Sequence, residues 1–130
     1  MSYIYYIRTN EKLMTSQRRI PSRDGIMPEN TMIHLEAFED SKSQYHYNYI
    51  LGVDEFSYFK SRQDHRMANQ IIDLINQNKS VTVLEVKWLG KINGQPREGR
   101  KDIRYHKLTE QLILDIMTNN TIDAYTLTIT

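Results

Sequence analysis

The 130-residue chain contains no cysteine, which excludes disulfide bonds, thiolate nucleophiles and zinc sites built on sulfur. Histidine, aspartate and glutamate are therefore the only strong metal ligands. Long apolar runs are also missing, because no segment approaches the roughly 20 apolar residues that a membrane-spanning helix needs. The opening stretch "MSYIYYIRTNEK" is too short, too rich in tyrosine and too poor in leading basic residues for a signal peptide. We expect a cytoplasmic protein that does not bind a membrane.

The sequence also lacks the motifs of common enzyme classes. It contains no glycine-rich phosphate loop, no nucleophile elbow and no kinase signature, so no cofactor is predicted and an enzymatic role is not favoured. Hydrophobic residues make up 39% of the chain and charged residues 25%, which is typical of a folded protein. A chain of 130 residues is long enough for one core and too short for two. We expect residues 1–130 to form a single domain.

Strands are predicted where apolar and polar residues alternate with a period of two, or where aromatic and β-branched residues cluster. The predicted strands are Tyr3–Arg8, Thr31–Glu39, Tyr45–Val53, Val81–Leu89, Asp102–Lys107 and Ile122–Thr130. The polar "DSKSQ" between the second and third strands has the length of a hairpin loop. These two strands should therefore pair antiparallel.

Two segments show helical periodicity instead, Asp54–Asn78 and Leu108–Asn120. Their predicted core residues are Ile71, Ile75, Leu112 and Ile116. The order of residue types after His65 in the first segment resembles that after His106 in the second, which fits an internally duplicated strand–helix unit, although two amphipathic helices with similar codon bias resemble each other by chance as well. The elements together predict an α+β domain with a mostly antiparallel sheet of about five or six strands and two helices on one face.

Residues 12–30 interrupt this pattern with prolines and an Asp24-Gly25 dipeptide, which predict a long loop or arm. Long segments without regular structure are uncommon in compact domains and are often functional. The arm carries three candidate binding residues, Arg18, Arg19 and Arg23.

The most distinctive feature is a basic segment, Val86–Lys107. Its seven cations are Lys87, Lys91, Arg97, Arg100, Lys101, Arg104 and Lys107. Only Glu98 and Asp102 oppose them, so the segment carries +5 whereas the whole chain carries +1. The dipeptide Asn93-Gly94 is a turn signal that predicts a hairpin within the segment.

Cations that meet phosphates and aromatic rings that stack on bases occur together in nucleic-acid surfaces. The basic segment includes Trp88 and Tyr105, but alternation places Trp88 on the same strand face as Leu84 and Val86. Trp88 is therefore expected to belong to the core. The partners that fit the cations are a nucleic acid, a nucleoprotein complex or an acidic protein surface, although a solvated hairpin face without a partner gives the same pattern.

A second hypothesis is a Mg²⁺-dependent nuclease. Glu85-Val86-Lys87 has the Glu-x-Lys spacing that places a metal-binding carboxylate and a lysine on one strand face. Asp54 is the candidate upstream carboxylate, although a helix separates it from Glu85 where two adjacent strands would be expected.

Metal ligands are also conceivable on the predicted hairpin, at His34, Glu36 and His46, although solvated polar side chains on a sheet face give the same pattern.

We favour a small non-enzymatic binding or inhibitor protein that acts on a nucleic acid or nucleoprotein through the basic hairpin and the arm. Its residue usage, with 9 tyrosines against 5 glycines, suggests an AT-rich coding sequence. Such usage fits an accessory protein of a phage or mobile element, such as an anti-defence factor of the anti-CRISPR kind. A third hypothesis is a nucleotide- or small-ligand-binding homo-oligomer that uses the tyrosine-rich hairpin.

Overall fold

The computed structural model describes residues 3–13, 33–53, 56–57, 60–77, 81–119 and 121–130. The strands are β1 (Tyr3–Thr9), β2 (Ile33–Phe38), β3 (Tyr47–Val53), β4 (Thr82–Trp88), β5 (Glu98–Ile103) and β6 (Ala124–Ile129). The α-helices are α1 (Arg62–Asn76) and α2 (Glu110–Met117), and a 3₁₀ turn, Tyr105–Lys107, precedes α2. The predicted α+β class, with a mostly antiparallel sheet and two helices, is confirmed.

The six strands form one sheet in the order β2-β3-β1-β4-β6-β5. All neighbouring pairs are antiparallel except β5 and β6, which are parallel. Parallel neighbours need a crossover connection, and α2 supplies it. The predicted hairpin of β2 and β3 is confirmed, with Leu35 opposite Leu51.

The predicted hairpin within the basic segment is wrong, because β6 lies between β4 and β5 and pairs with both. The turn signal itself is genuine, since Gly94 has a φ of 82°. The chain after this turn does not fold back on β4 but continues to the far side of β6. The strand that follows also ends at Ile103, and Tyr105–Lys107, which was predicted to be strand, forms the 3₁₀ turn.

Alternation along the strands divides the sheet into a face that packs against both helices and an open face. The helix-covered face of the central strands carries Ile7, Leu84 and Leu127, all fully buried. These side chains belong to one core cluster with residues from both helices, such as Ile71 and Ile113. Burial of such aliphatic side chains is the main force that holds the helices on the sheet.

Helix α1 begins later than the prediction of Asp54 because a capping box fixes its first turn. The Ser61 side chain accepts a hydrogen bond from the Asp64 amide, and the Asp64 carboxylate accepts one from the Ser61 amide. Asp64, which is 1% exposed, also accepts hydrogen bonds from the amide and hydroxyl of Ser57. These bonds satisfy amide donors that a helix start leaves unpaired.

Helix α2 has a buried apolar side and an exposed polar side. Gln111 and Asp115 are exposed, and Leu112, which the sequence placed in the core, is only partly buried. The residues that α2 buries are Ile113, Leu114, Ile116 and Met117. The predicted core positions Ile71, Ile75 and Ile116 are confirmed.

The predicted repeat corresponds to two crossovers, β3-α1-β4 and β5-α2-β6, which differ in their geometry. The first passes over β1, whereas the second joins adjacent strands. His65 lies in the first turn of α1 and contacts Glu110 of α2, while His106 lies in the 3₁₀ turn before α2. The two histidines therefore do not occupy equivalent places.

Candidate functional site

The basic segment does not present its cations on one surface. Lys87 and Arg100 point to the open face of the sheet, whereas Lys101, on β5, points to the helix-covered side. Arg104 follows β5, and Lys107 ends the 3₁₀ turn. β5 is an edge strand, so Arg100 and Lys101 lie at the margin of the molecule.

Three of these cations converge on a groove of about 800 Å³ between β5 and α2. Lys101, Arg104 and Lys107 line it together with two partly buried apolar side chains, Ile103 and Leu112. Within the part of the chain that the structure describes, none of the three cations has an ion-pair partner. The groove therefore combines an apolar lining with three cations, which outnumber the two carboxylates, Asp102 and Asp115, that also line it.

Of the two carboxylates that line the groove, Asp102 and Asp115, one is already engaged. Asp115 lines the groove but its Oδ1 accepts hydrogen bonds from Lys60 Nζ and from Gln111 Nε2. The hydrogen bond from Lys60 is the main reason that the pKa of Asp115 lies below its usual value. Asp102 has no ion-pair partner among the described residues, so an anion entering the groove would meet three cations and one uncompensated carboxylate.

Arg97 differs from the other cations because it is paired. Its guanidinium Nε and Nη2 each lie 3.4 Å from an oxygen of Asp123, and its backbone amide donates to Asp123 Oδ2 at 2.7 Å. The hydrogen bond from the Arg97 backbone amide is the main reason that the pKa of Asp123 lies below its usual value, and the hydrogen bond from the Arg97 side chain lowers it further. This pairing fastens the end of the β4–β5 connection to the residue before β6.

A second cavity, of about 350 Å³, lies at the opposite end of β5. Its aromatic wall consists of Tyr3 and Trp88, whose ring centroids are 4.9 Å apart. The other lining residues are Lys91, Ile92, Asn93, Arg97 and Asp123. Trp88 lies on the predicted face of β4, but as the last residue of the strand it is only partly buried.

Two apolar residues beside this cavity are unusually exposed. Leu89 is 55% exposed and Ile92 is 37% exposed, and among the described residues Tyr47 is the only other large hydrophobic residue in this class. Gly90 lies between them against the indole, where an added Cβ would come within 2.4 Å of the Trp88 ring. The β4–β5 connection thus displays apolar, aromatic and basic groups together.

The open face of the sheet contains a polar cluster that sequence analysis missed. Arg8 Nη1 donates to Asp40 Oδ2 at 2.9 Å and to Asn48 Oδ1 at 2.8 Å, and Nε donates to Glu85 Oε2 at 3.2 Å. The same guanidinium lies 5.0 Å from the Tyr6 ring centroid. The alternation of β1 places Arg8 on this face, but its partners are distant in sequence.

The nuclease hypothesis required Asp54, Glu85 and Lys87 to act together. Glu85 and Lys87 do share the open face of β4, but the Glu85 carboxylate is held by Arg8. Asp54 lies outside the described residues. The geometry gives this hypothesis no additional support.

The candidate metal ligands do not converge either. His34 lies opposite Gly52, with its ring over the glycine Cα, while His46 precedes the start of β3 at Tyr47, at the other end of that strand. Among the described residues, no group of three or more metal-ligating side chains is positioned to hold an ion. A strand of this length separates its two ends by about 20 Å, which explains the failure of the pattern.

Two further sequence-based expectations concern the arm and the tyrosine-rich hairpin. Arg18, Arg19 and Arg23 lie outside the described residues. On the hairpin, Tyr49 is 2% exposed and its hydroxyl accepts a hydrogen bond from the Leu13 amide, so it serves the core.

No helix in the described ranges is long and apolar enough to span a bilayer.

Comparison of the chain with family models, with curated proteins and with solved structures finds no match in any of the three. No activity or partner can therefore be transferred from a relative. The features that remain are chemical: unpaired cations along the β5 edge, a groove at one end of that strand and an aromatic cavity at the other.

Proposed function

We propose that this protein binds nucleic acid without cleaving it, along the edge formed by β5 and the two cavities at its ends. The observation that carries the proposal is the groove in which Lys101, Arg104 and Lys107 have no ion-pair partner among the described residues. Unpaired cations on an exposed surface attract phosphates and release their counterions on binding.

The arrangement of the cations also supports a linear partner. Lys91 lies by the aromatic cavity, Arg100 and Lys101 lie on β5, and Arg104 and Lys107 follow it. A six-residue strand is about 20 Å long, and a nucleic-acid strand carries one charge per roughly 3.4 Å, so about six phosphates could lie along this path. Arg97 contributes less than the sequence suggested, because it is already paired with Asp123.

Two charge-changing variants separate a specific site from general attraction. Lys101→Glu/Lys107→Glu reverses two of the three groove cations, and Ser41→Glu/Lys42→Glu/Gln44→Glu changes three exposed residues of the β2–β3 connection, at the opposite edge of the sheet. Each variant lowers the net charge from +1 to −3, because every Lys→Glu change subtracts two charges and every change of a neutral residue to Glu subtracts one. Exposed charges contribute little to stability, so both variants should fold.

Fluorescence anisotropy with a labelled mixed-sequence oligonucleotide at low salt provides the measurement. We expect the groove variant to lose at least about tenfold in affinity, which corresponds to about 1.4 kcal/mol, while the control variant retains most of its binding. Wild-type affinity should fall with salt at a log–log slope of roughly −0.7 to −0.9 per phosphate contacted. Equal loss in both variants would show only non-specific attraction, and absence of binding by the wild-type protein would refute the proposal.

For the biological setting, we propose a cytoplasmic accessory role of the kind found in phages and mobile elements, in which the basic edge engages the nucleic-acid part of a host nucleoprotein complex. Its support is compositional, together with the surface chemistry above. A competition assay tests it: the protein should displace a basic peptide from the exposed nucleic acid of a purified ribonucleoprotein. The Lys101→Glu/Lys107→Glu variant should not do so, and equal competition by both proteins would contradict this role.

A further inference from the structure

We infer that the cavity lined by Tyr3 and Trp88 receives an unpaired nucleobase, so that the protein selects single-stranded over duplex nucleic acid. This inference rests on the proposed function, since the phosphates of the same strand would lie on the cations of the β5 edge. It goes further by assigning a base site, which the cations alone do not require.

The composition of the cavity supports an aromatic, polar-edged guest. Tyr3 and Trp88 supply ring surfaces, and aromatic side chains bind bases by stacking without regard to sequence. Asn93 offers an amide donor and acceptor, and Lys91, unpaired among the described residues, offers a cation for an adjacent phosphate. The volume of about 350 Å³ lies in the range of cavities that hold small planar ligands.

The position of the cavity relative to the groove is consistent with one continuous strand. Trp88 and Lys101 both point to the helix-covered side of the sheet, as shown by their strand partners Tyr3 and Leu127. A nucleic-acid strand that runs along β5 from the groove therefore reaches the cavity without crossing to the open face of the sheet. Bases in a duplex are stacked and paired, so they could not enter.

The exposed apolar side chains of the β4–β5 connection provide a separate reason. Leu89 and Ile92 are costly to leave in water; Ile92 lines the cavity, and Leu89 directly follows Trp88 in the chain. Exposed apolar groups of this kind mark interaction sites when they adjoin one another. Bases offer apolar faces to such groups, whereas the sugar–phosphate exterior of a duplex does not.

Trp88 is the only tryptophan in the chain, so its fluorescence reports directly on this cavity. Wild-type protein is titrated with a mixed-sequence single strand, with the corresponding duplex and with an abasic strand of equal length, while anisotropy of the labelled oligonucleotide measures binding independently. We expect saturable quenching by the single strand alone. The abasic strand should bind more weakly and leave the fluorescence unchanged.

Variants at Trp88 give a second readout. Trp88→Leu should weaken single-strand binding by about tenfold or more, and Trp88→Phe should restore most of the loss, because it returns an aromatic ring. If Trp88→Leu does not fold, the wild-type quenching experiment decides the question alone.

The outcomes distinguish the base site from the proposed function. Single-strand binding without quenching, or with equal affinity for the abasic strand, overturns the base site and leaves nucleic-acid binding intact. Failure of every oligonucleotide to bind overturns both. Quenching by a free mononucleotide without oligonucleotide binding also overturns the inference and instead identifies a nucleotide site.

Discussion

At the scale of single residues, Asp123 makes hydrogen bonds to both ends of the β4–β5 connection. It receives the amide and the guanidinium of Arg97, and its backbone carbonyl accepts the Trp88 amide at 2.7 Å. Asp123 therefore accepts hydrogen bonds from residues at both ends of the β4–β5 connection, which carries Leu89 and Ile92. Loss of this carboxylate should loosen the aromatic cavity and the end of β5 together.

Asp123→Asn should therefore lower the melting temperature in a pH-dependent manner. The folded-state pKa is below the usual 3.8, chiefly because of the bond from the Arg97 amide. The stability that the charged Asp123 carboxylate contributes is fully present above its pKa in the unfolded chain. That stability is lost as the pH falls through its pKa in the folded protein. The difference between wild type and Asp123→Asn should thus be constant near neutral pH and shrink below about pH 4.

Thermal melts between about pH 7 and about pH 2.5 measure this effect. Asp102→Asn is the matched control, because Asp102 is exposed on β5 and has no ion-pair partner among the described residues. A gap between wild type and Asp123→Asn that does not change across this range would show that the carboxylate charge is not responsible.

At the scale of elements, neighbouring aliphatic residues of α2 have different surroundings, one in the core and one at the groove. Ile113 is fully buried in the core cluster, whereas the adjacent Leu112 lines the basic groove. The Thr109 side chain caps the helix by accepting from the Leu112 amide, which sets the rotation of the first turn. Neighbouring aliphatic residues therefore serve the core and the candidate site respectively.

Ile113→Ala should destabilise the protein by about 2–5 kcal/mol, because it removes buried methyl groups and leaves a cavity. Leu112→Ala should cost about 1 kcal/mol, since its side chain is already in contact with solvent. Urea denaturation measures both free energies of unfolding. Similar losses in the two variants would contradict the helix orientation, and a larger loss for Leu112→Ala would reverse it.

At the scale of the whole molecule, the central pair β1 and β4 joins the two halves of the sheet. β1 pairs with β3 on one side, and β4 pairs with β6 on the other. Both helices contribute to one core cluster that includes residues from both halves. No part of this core can be removed without exposing apolar surface from the remainder.

We therefore expect unfolding to occur in a single cooperative transition. Trp88 fluorescence reports on the end of β4, and far-ultraviolet circular dichroism reports mainly on α1 and α2. The two signals should give coincident urea transitions, as for most small domains with one core. Separate midpoints would show that the helices and the edge of the sheet unfold independently.

The sequence by itself determined features that depend on neighbouring residues. The period-two alternation predicts that Trp88 shares a strand face with Leu84 and Val86, and the register confirms that all three lie on the helix-covered face. Alternation succeeds because successive side chains of any strand point to opposite faces, whatever the strand's partner. The concentration of positive charge in Val86–Lys107 is equally independent of the fold.

Only the tertiary structure decided which strands are neighbours and which charges remain unpaired. β6 lies between β4 and β5, so the basic segment does not form a hairpin. It contributes the edge strand β5, which has a groove at one end and an aromatic cavity at the other. Arg97 is paired with Asp123, 26 residues away, and Arg8 with Glu85, 77 residues away. Such pairings depend on strand order, which the packing of both helices against the whole sheet establishes and which no local pattern of residues encodes.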